Sequence, residues 1–194
     1  DEVTAIKYNG ISIDMLLKMT VDECIQFFRK YNQTKIVNKL LPLQSVGLGY
    51  VSLGQSSNTL SGGEAQRIKL ASFIGKGDQI EKTFFIFDEP TTGLHFHDVK
   101  KLLNTFDKLI RMGHSILVIE HNLDMISCSD HIIDLGPEGG DKGGNIIAEG
   151  TPEEIIKNKK SYTGQYLKKK IIWLPILIKL IDKYIYIITQ LEYI

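Results

Sequence analysis

Apolar residues repeat at helical spacing along the first quarter of the chain. The pattern predicts three helices, which begin after Ser12, after Thr20 and at Thr34. Thr20 is followed three positions later by Glu23, which is the form of a capping box. Pro42 lies in the third stretch and is expected to kink or end that helix. A small helical region is therefore predicted at this end of the chain.

Two short apolar runs follow later, and each ends in polar residues. Phe84 to Phe87 lead into Asp88 and Glu89, and Ser115 to Ile119 lead through a glutamate into His121. Continuous apolar runs are typical of parallel strands covered on both faces, and ligands bind at the carboxyl edge of such sheets. We therefore expect these carboxylates and the histidine to share one edge. The alternative for the acidic pair is a solvated turn ended by the next proline.

The segments around these runs complete an α/β pattern. Helical spacing from Val99 to Ile110 links the two strands into a βαβ unit. Further on, the glycine-rich stretch from Gly139 to Asn145 separates Ile132 to Leu135 from Ile146 to Ala148, which predicts a hairpin. The predicted fold class is α/β, with parallel strands flanked by helices.

The segment from Leu60 to Arg67 reads LSGGEAQR and combines a helix start with two glycines. Ser61 and Glu64 form a second capping box, so a helix is predicted from Gly62 onward. The first amides of a helix have no intrahelical partner and lie at the positive end of its dipole, and glycine lets a phosphate approach closely. The simpler interpretation is that this tetrapeptide only caps a helix.

Composition changes this picture little. The chain has 194 residues, 43% of them hydrophobic and 24% charged, which is ordinary for one globular domain. There are 23 basic and 23 acidic residues, so no net charge attracts the chain to nucleic acid, although a local patch of basic residues is not excluded.

Lysines cluster from Lys157 to Lys170. They form either a solvated face or a patch that contacts phosphate.

Cysteines and the amino terminus give only weak signals. Cys24 and Cys128 lie far apart, so neither a zinc site nor a disulfide framework is predicted, and reduced thiols are the expectation. The first residues lack the charged and apolar regions of a secretory signal, so we expect a cytoplasmic location.

Two segments come close to a phosphate-binding P-loop without matching one. Gly49 to Ser56 reads GxxxxGQS, but Gln55 stands where the P-loop lysine is needed and the segment does not open a helix directly. Gly139 to Asn145 places Asn145 at the lysine position and continues into a predicted strand. No segment of the sequence matches a Walker A motif.

The motifs together resemble the second half of an ATP-binding-cassette ATPase. More narrowly, residues 1–169 are similar to the carboxyl-terminal part of the second ATPase domain of the UvrA family, the damage-recognition ATPases of bacterial nucleotide excision repair. The resemblance lies in the segments VGLGY (46–50), TLSGGEAQRIKLA (59–71), FDEPTTGLH (87–95), VIEHNLD (118–124), IIDLGPEGGDKGG (132–144) and AEGTPEEI (148–155).

The resemblance implies a division of the chain into three parts. Residues 1–58 would be the end of the helical signature subdomain, and residues 59–170 the cassette core with its signature, Walker B, D-loop and H-loop motifs. Residues 171–194 depart from the family as an apolar tail, for which we expect an amphipathic helix packed on the domain or on a partner. Lys179, Asp182 and Lys183 near the middle of the tail argue against a membrane span.

The resemblance also assigns roles to residues. Ser61, Gly62 and Gly63 would reach the γ-phosphate of an ATP bound by an opposite domain, with Glu64 and Gln66 shaping the first turn of the signature helix.

At the sheet edge, Asp88 would organise Mg²⁺, Glu89 would polarise the attacking water, and His121 would contact the γ-phosphate. Gly93, Leu94 and His95 would form the D-loop, which passes signals between two sites. His95 and His97 also alternate as metal ligands do, but surface histidines are the simpler interpretation. No structural metal site is predicted.

The resemblance finally implies a whole-protein function. The full-length protein would hydrolyse ATP with Mg²⁺, whereas this chain, without a P-loop, would be inactive alone. The implied partners are damaged double-stranded DNA, a UvrB-like repair protein and a second copy of the full-length protein, with no membrane, and zinc would belong to family regions absent from this chain.

Two other functions stay open. One is the nucleotide-binding domain of an ABC transporter, which shares the signature, the acidic pair and the histidine; Thr91 to His95 and Leu135 to Gly144 favour repair. The other is an interaction module without enzymatic activity.

Overall fold

The structure is a computed structural model that describes residues 6–76, 81–136, 143–171 and 185–189. It divides into two units, which we call the helical unit, Asp1–Gln79 with Thr92–Leu102, and the sheet unit, Ile80–Thr91 with Leu103–Ile194.

Helices form in the helical unit where the capping residues predict them. A two-stranded antiparallel hairpin precedes four helices: β1 (Lys7–Tyr8), β2 (Ile11–Ser12), α1 (Ile13–Lys18), α2 (Val21–Lys30), α3 (Thr34–Ser45) and α4 (Gly62–Ile74). At the start of α2 the Glu23 amide donates to Thr20 Oγ1 at 3.2 Å and the Thr20 amide donates to Glu23 Oε2 at 2.7 Å, so the capping box is confirmed. Pro42 lies in the last turn of α3, which ends at Ser45, three residues further on. The helix thus ends near the proline, where a missing backbone donor costs little.

The core of the helical unit lies between α2 and α3. Its buried side chains are apolar and come mainly from α2, as Val21, Cys24, Ile25, Phe28, Val37 and Leu40. The glycine-rich segment after α3 packs on this pair, and a Cβ at Gly49 would collide with the Asp22 carboxylate. Ser52 forms an antiparallel bridge with Thr20, so the segment that resembles a P-loop serves here to close the helical unit.

A five-stranded sheet organises the sheet unit. Its elements are β3 (Phe84–Asp88), the end of α5 (Phe96–Arg111), β4 (Ser115–Ile119), α6 (Leu123–Ser127), β5 (His131–Gly136), β6 (Asn145–Gly150), α7 (Pro152–Ile155), α8 (Tyr162–Ile171) and β7 (Ile185–Thr189). The strand order is β3-β4-β7-β5-β6, with parallel pairing from β3 to β5 and an antiparallel β5–β6 pair. The α/β prediction, the two strands predicted from the apolar runs (β3 and β4) and the hairpin strands are confirmed, while residues 137–142 of the turn lie outside the described part.

Register places one apolar face of this sheet inside. Phe87 pairs with Val118, which pairs with Ile187, and all three side chains are buried. On the other face, Phe84 is 59% and Ile86 is 60% exposed. The expectation that this run is covered on both faces is therefore wrong for the described residues, because only the face with Phe87 packs against other elements.

The apolar tail differs from its expectation as well. In place of an amphipathic helix, residues 185–189 form β7 between β4 and β5, and residues 172–184 and 190–194 lie outside the described part. The segment is rich in isoleucine, and β-branched residues favour strands. A central position also pairs its backbone on both sides, since parallel neighbours flank it. No helix in the described ranges is long and apolar enough to cross a bilayer.

Candidate functional site

The predicted signature helix begins at the predicted residue. Ser61 is extended at φ −66° and ψ 161°, and its Oγ accepts from the Glu64 amide at 3.3 Å, while its own amide donates to Glu64 Oε2 at 2.7 Å. Gly62 is exposed, and a Cβ there would meet nothing within 4 Å. Gly63, by contrast, is buried. The first amides of a helix have no intrahelical acceptor, and at this turn Gly62 is the exposed glycine that an anion could approach from solvent.

Two residues that the sequence did not single out support this turn. The Tyr50 hydroxyl donates to Glu64 Oε1 at 2.5 Å, and this bond, with the Ser61 amide, lowers the pKa of Glu64. Burial, together with the adjacent Glu64 charge, raises the pKa of Tyr50. One turn further, beyond the half-buried Gln66, Arg67 is completely buried, and burial lowers the pKa of its guanidinium. Its Nη1 donates to the Thr92 carbonyl at 3.2 Å, which joins the signature helix to the start of the predicted D-loop.

The predicted D-loop residues form the entrance to α5. Gly93 has φ +76°, a conformation that favours glycine, and a Cβ there would meet nothing within 4 Å. Leu94 contacts Gly47, where a Cβ would lie 3.2 Å from its Cδ2 atom. His95 is exposed and its carbonyl accepts from the Asp98 amide at 2.8 Å. His97 is also exposed, and within the described ranges no three or more His, Cys, Asp or Glu side chains are grouped to hold a metal ion.

The predicted acidic edge forms in the sheet unit. Asp88 ends β3 opposite Ile119, and the Glu89 amide donates to the Ile119 carbonyl at 2.9 Å. Glu89 has φ +46°, which is uncommon for a residue with a side chain and is found at functional sites. His121 Nδ1 lies 3.5 Å from Glu89 Oε1, and both side chains are more than half exposed. Parallel pairing of β3 with β4 thus brings the carboxylate and the imidazole together.

The structure therefore places the predicted residues in two groups. Signature and D-loop residues lie in the helical unit, and Asp88, Glu89 and His121 lie in the sheet unit.

Sequence reasoning missed a fourth residue at the acidic edge, Glu120, which is 2% exposed and accepts four hydrogen bonds from the loops on either side. Its signal was present, because Glu120 follows the buried Ile116 and Val118 at alternating positions and so continues the inward face of β4.

Comparison with known proteins supports the resemblance. The chain is 58% identical over 168 residues to UvrABC system protein A of Clostridium perfringens, which covers 87% of this chain and 18% of that protein. It is 55% identical over 171 residues to the protein of the same name from Rickettsia prowazekii, which covers 88% of this chain and 18% of that protein. No protein-family model matches the chain.

A solved structure agrees with these matches. The crystal structure of UvrA2 from Deinococcus radiodurans is similar with a TM-score of 0.72 and 39% identity, over 87% of this chain and 20% of that one. The chain thus corresponds to a stretch of UvrA proteins and spans about a fifth of their length.

Proposed function

We propose that this chain, which matches UvrA proteins over most of its length, is the carboxyl-terminal part of a UvrA-type ATPase domain that acts in bacterial nucleotide excision repair. The observation that carries the proposal is the edge where Asp88 ends β3 and Glu89 lies 3.5 Å from His121. Two carboxylates and an imidazole at the carboxyl edge of parallel strands are groups that can hold Mg²⁺ and orient a water for phosphoryl transfer.

The donor set at this edge fits Mg²⁺. This ion prefers one or two carboxylates together with phosphate oxygens and waters, and Asp88 and Glu89 present exposed carboxylates at the edge. Asp88 would hold the ion through a water or directly. When bound, Mg²⁺ neutralises charge that develops on the phosphate oxygens.

Glu89 and His121 have separate roles in the hydrolysis step. Glu89 accepts a proton from the attacking water as the oxygen of that water bonds to the γ-phosphorus and the bond to the departing ADP oxygen breaks. His121 donates a hydrogen bond to the γ-phosphate and keeps the water in line. Because such catalysis consists mainly of positioning and electrostatic stabilisation, both side chains act only when nucleotide is held against the edge.

The signature turn of this chain contacts a nucleotide that is bound by another domain. Ser61, Gly62 and Gly63 contribute the serine hydroxyl and first-turn amides to the γ-phosphate of ATP held by an opposite P-loop, and Glu64 with Gln66 keeps that turn in shape. Gly93, Leu94 and His95 link hydrolysis at one site to the other. In this proposal residues 1–58 end the helical signature subdomain and residues 59–170 are the cassette core.

Several properties of the whole protein follow as part of the proposal. It hydrolyses ATP, binds damaged double-stranded DNA, loads a UvrB-like protein, pairs with a second copy and acts in the cytoplasm, and zinc belongs to segments outside this sequence. The transporter alternative is less well supported, since the proteins matched here carry the UvrA name.

The test uses a graft in which residues 1–169 of this chain replace the matched segment of the Clostridium perfringens protein. We expect the graft to hydrolyse MgATP, with turnover altered by lesion-bearing duplex. Glu89→Gln should lower kcat by about 10²–10⁴-fold and leave ATP bound. Glu149→Gln, an exposed carboxylate on β6, is the matched control and should have no effect. Turnover of Glu89→Gln at the parental rate would remove Glu89 from the role of base.

A second measurement concerns the chain alone. Calorimetric titration of MgATP into the 194-residue chain should give no detectable heat of binding, because no P-loop is present in its sequence. Stoichiometric, tight binding would show that Gly49 to Ser56 or another segment cradles phosphate, and the composite-site proposal would then fail.

A further inference from the structure

We propose that Glu120 is a positioning residue that fixes His121 against Glu89 by clamping together the loops after β3 and β4. The inference rests on the proposed function, since it concerns how the edge is prepared for ATP. Glu120 itself does not touch the nucleotide, because its side chain is 2% exposed.

The contacts of Glu120 use both of its oxygens fully. Oε2 accepts from the His121 amide and the Asn122 amide, each at 2.9 Å. Oε1 accepts from the Thr91 amide at 3.0 Å and from the Thr91 hydroxyl. Two oxygens that accept four donors fill the capacity of a carboxylate, and bonds to an ionised acceptor are the stronger kind. Glu120 is thus not available as a base, and its role is to hold backbone.

The two anchored segments are those that carry the proposed catalytic side chains. Thr91 follows Glu89 by two residues, with the buried Pro90 between them, and His121 directly follows Glu120. On the far side of His121, Asn122 caps α6 by accepting from the Asp124 amide at 2.9 Å. The backbone of His121 is therefore held on both sides.

Packing covers less than half of each of these two side chains. The side chains of His121 and Glu89 are 59% and 54% exposed, so the backbone that carries them matters for their positions. Their 3.5 Å separation depends in part on this backbone, which includes the left-handed conformation of Glu89 at φ +46°. Such a conformation persists only where the surrounding structure imposes it, and the Thr91 bonds to Glu120 hold the chain two residues further on.

Substitutions can test the two arms of the clamp separately. The Thr91 arm is the pair of bonds from Thr91 to Oε1, and the His121 arm is the pair from the His121 and Asn122 amides to Oε2. In Glu120→Gln one oxygen becomes an amide nitrogen, which cannot accept, so either the Thr91 amide or the amides of His121 and Asn122 lose their acceptor. Glu120→Asp keeps the charge, but its shorter side chain reaches only one loop. Thr91→Val removes the hydroxyl bond alone and leaves the two bonds to the His121 loop.

The catalytic test uses the graft described above. Glu120→Gln should lower kcat by about 10²-fold with KM for MgATP unchanged, because a small displacement of reacting groups has that cost. Thr91→Val should have a smaller effect of the same kind. If Glu120 acts through His121, the double variant Glu120→Gln/His121→Ala is no slower than His121→Ala alone. Effects that multiply in the double variant would show an independent, merely structural role and would overturn the proposal.

A second readout separates this inference from the proposed function. Amide hydrogen exchange in the 194-residue chain should accelerate by about tenfold at His121 and Asn122, or at Thr91, in Glu120→Gln, and stay at the wild-type rate on α2 and in Glu149→Gln. Unchanged exchange at all three amides would overturn the clamp whatever the enzyme does. If the clamp is seen but the graft or its His121→Ala variant shows no link to ATP turnover, the proposed function fails and the clamp stands as structure only.

Discussion

The signature turn and the acidic edge are the two polar sites that we propose contact phosphate, and they are made in different ways. At Ser61 the capping box closes within four residues, and its reciprocal bonds join only Ser61 and Glu64. At the edge, Glu89 meets His121 only because β3 and β4 pair in parallel, with Asp88 opposite Ile119. The capping box therefore depends on a local sequence, with added support from Tyr50 and Arg67, and the acidic edge depends on the register between β3 and β4.

The largest predicted effect comes from a substitution in the sheet core, which should destabilise the acidic edge and leave the signature turn unchanged. Ile187 on β7 is completely buried between β4 and β5, whereas Ile146 on β6 is 60% exposed. Ile187→Ala should lower the free energy of unfolding of the sheet unit by about 2–5 kcal/mol, because it leaves a cavity in the core. Ile146→Ala should change it by less than about 0.5 kcal/mol. Denaturant unfolding of the 194-residue chain measures both.

Hydrogen exchange then sharpens the comparison. With Ile187→Ala, amides of β4 should lose protection while amides of α4, behind the Ser61 cap, keep theirs. Equal stability of Ile187→Ala and wild type would show that β7 does not contribute to the sheet. Loss of protection in α4 would show that the signature turn depends on the sheet after all.

A smaller effect is predicted for the local site. Ser61→Ala should cost about 1 kcal/mol of stability and Ser61→Gly only a few tenths, as for other helix caps. Ser57→Ala is the control, since Ser57 is an exposed serine nearby that caps no α-helix. Exchange at the first amides of α4 reports the change directly. A loss several times larger would mean that the capping box supports more than its own helix.

The smallest effect is a difference in pH dependence between two carboxylates. Burial raises the pKa of Asp134 above its ordinary 3.8, although Ser161 and Thr163 donate to it. Its contribution to stability is therefore complete below pH 3.8 and is lost as the pH rises through the folded pKa. Asp134→Asn should remove this loss, so the stability of the variant relative to wild type should improve with rising pH.

Glu64 has the opposite sign. The Tyr50 bond lowers its pKa below the ordinary 4.5, so its contribution is present above pH 4.5 and disappears as the pH falls through the folded pKa. Glu64→Gln should therefore be less stable than wild type at neutral pH and equal to it in acid. Unfolding curves measured between pH 3 and pH 7 span the ordinary pKa values of both carboxylates and so test the sign of each pH dependence. Parallel curves for the two variants would contradict the assignment.

Sequence reasoning succeeded where the determinant is local or periodic. The capping boxes predicted at Thr20 and Ser61 both form, as their S/T-x-x-E patterns require. The strands at Phe84 and Ser115 form where apolar runs end in polar residues.

It failed where a neighbour decides the outcome. The apolar run that contains Phe84 and Ile86 predicts a strand covered on both faces, yet one face of β3 is exposed in the described residues. The tail sequence at residues 185–189 suits a strand as well as an amphipathic helix, and only the gap between β4 and β5 selects the strand. Glu120 was passed over because its partner Thr91 lies on another loop.

The sequence by itself determined the helix starts, the apolar strands and the identity of the polar groups that follow them, because these depend on neighbours within a few positions. The sequence also predicted that Glu89 and His121 share one sheet edge, but only the tertiary structure decided how closely they approach and which other residues hold them. The 3.5 Å approach of Glu89 and His121, the clamp at Glu120 and the insertion of β7 all depend on strand pairing between distant segments, and no local pattern encodes that register.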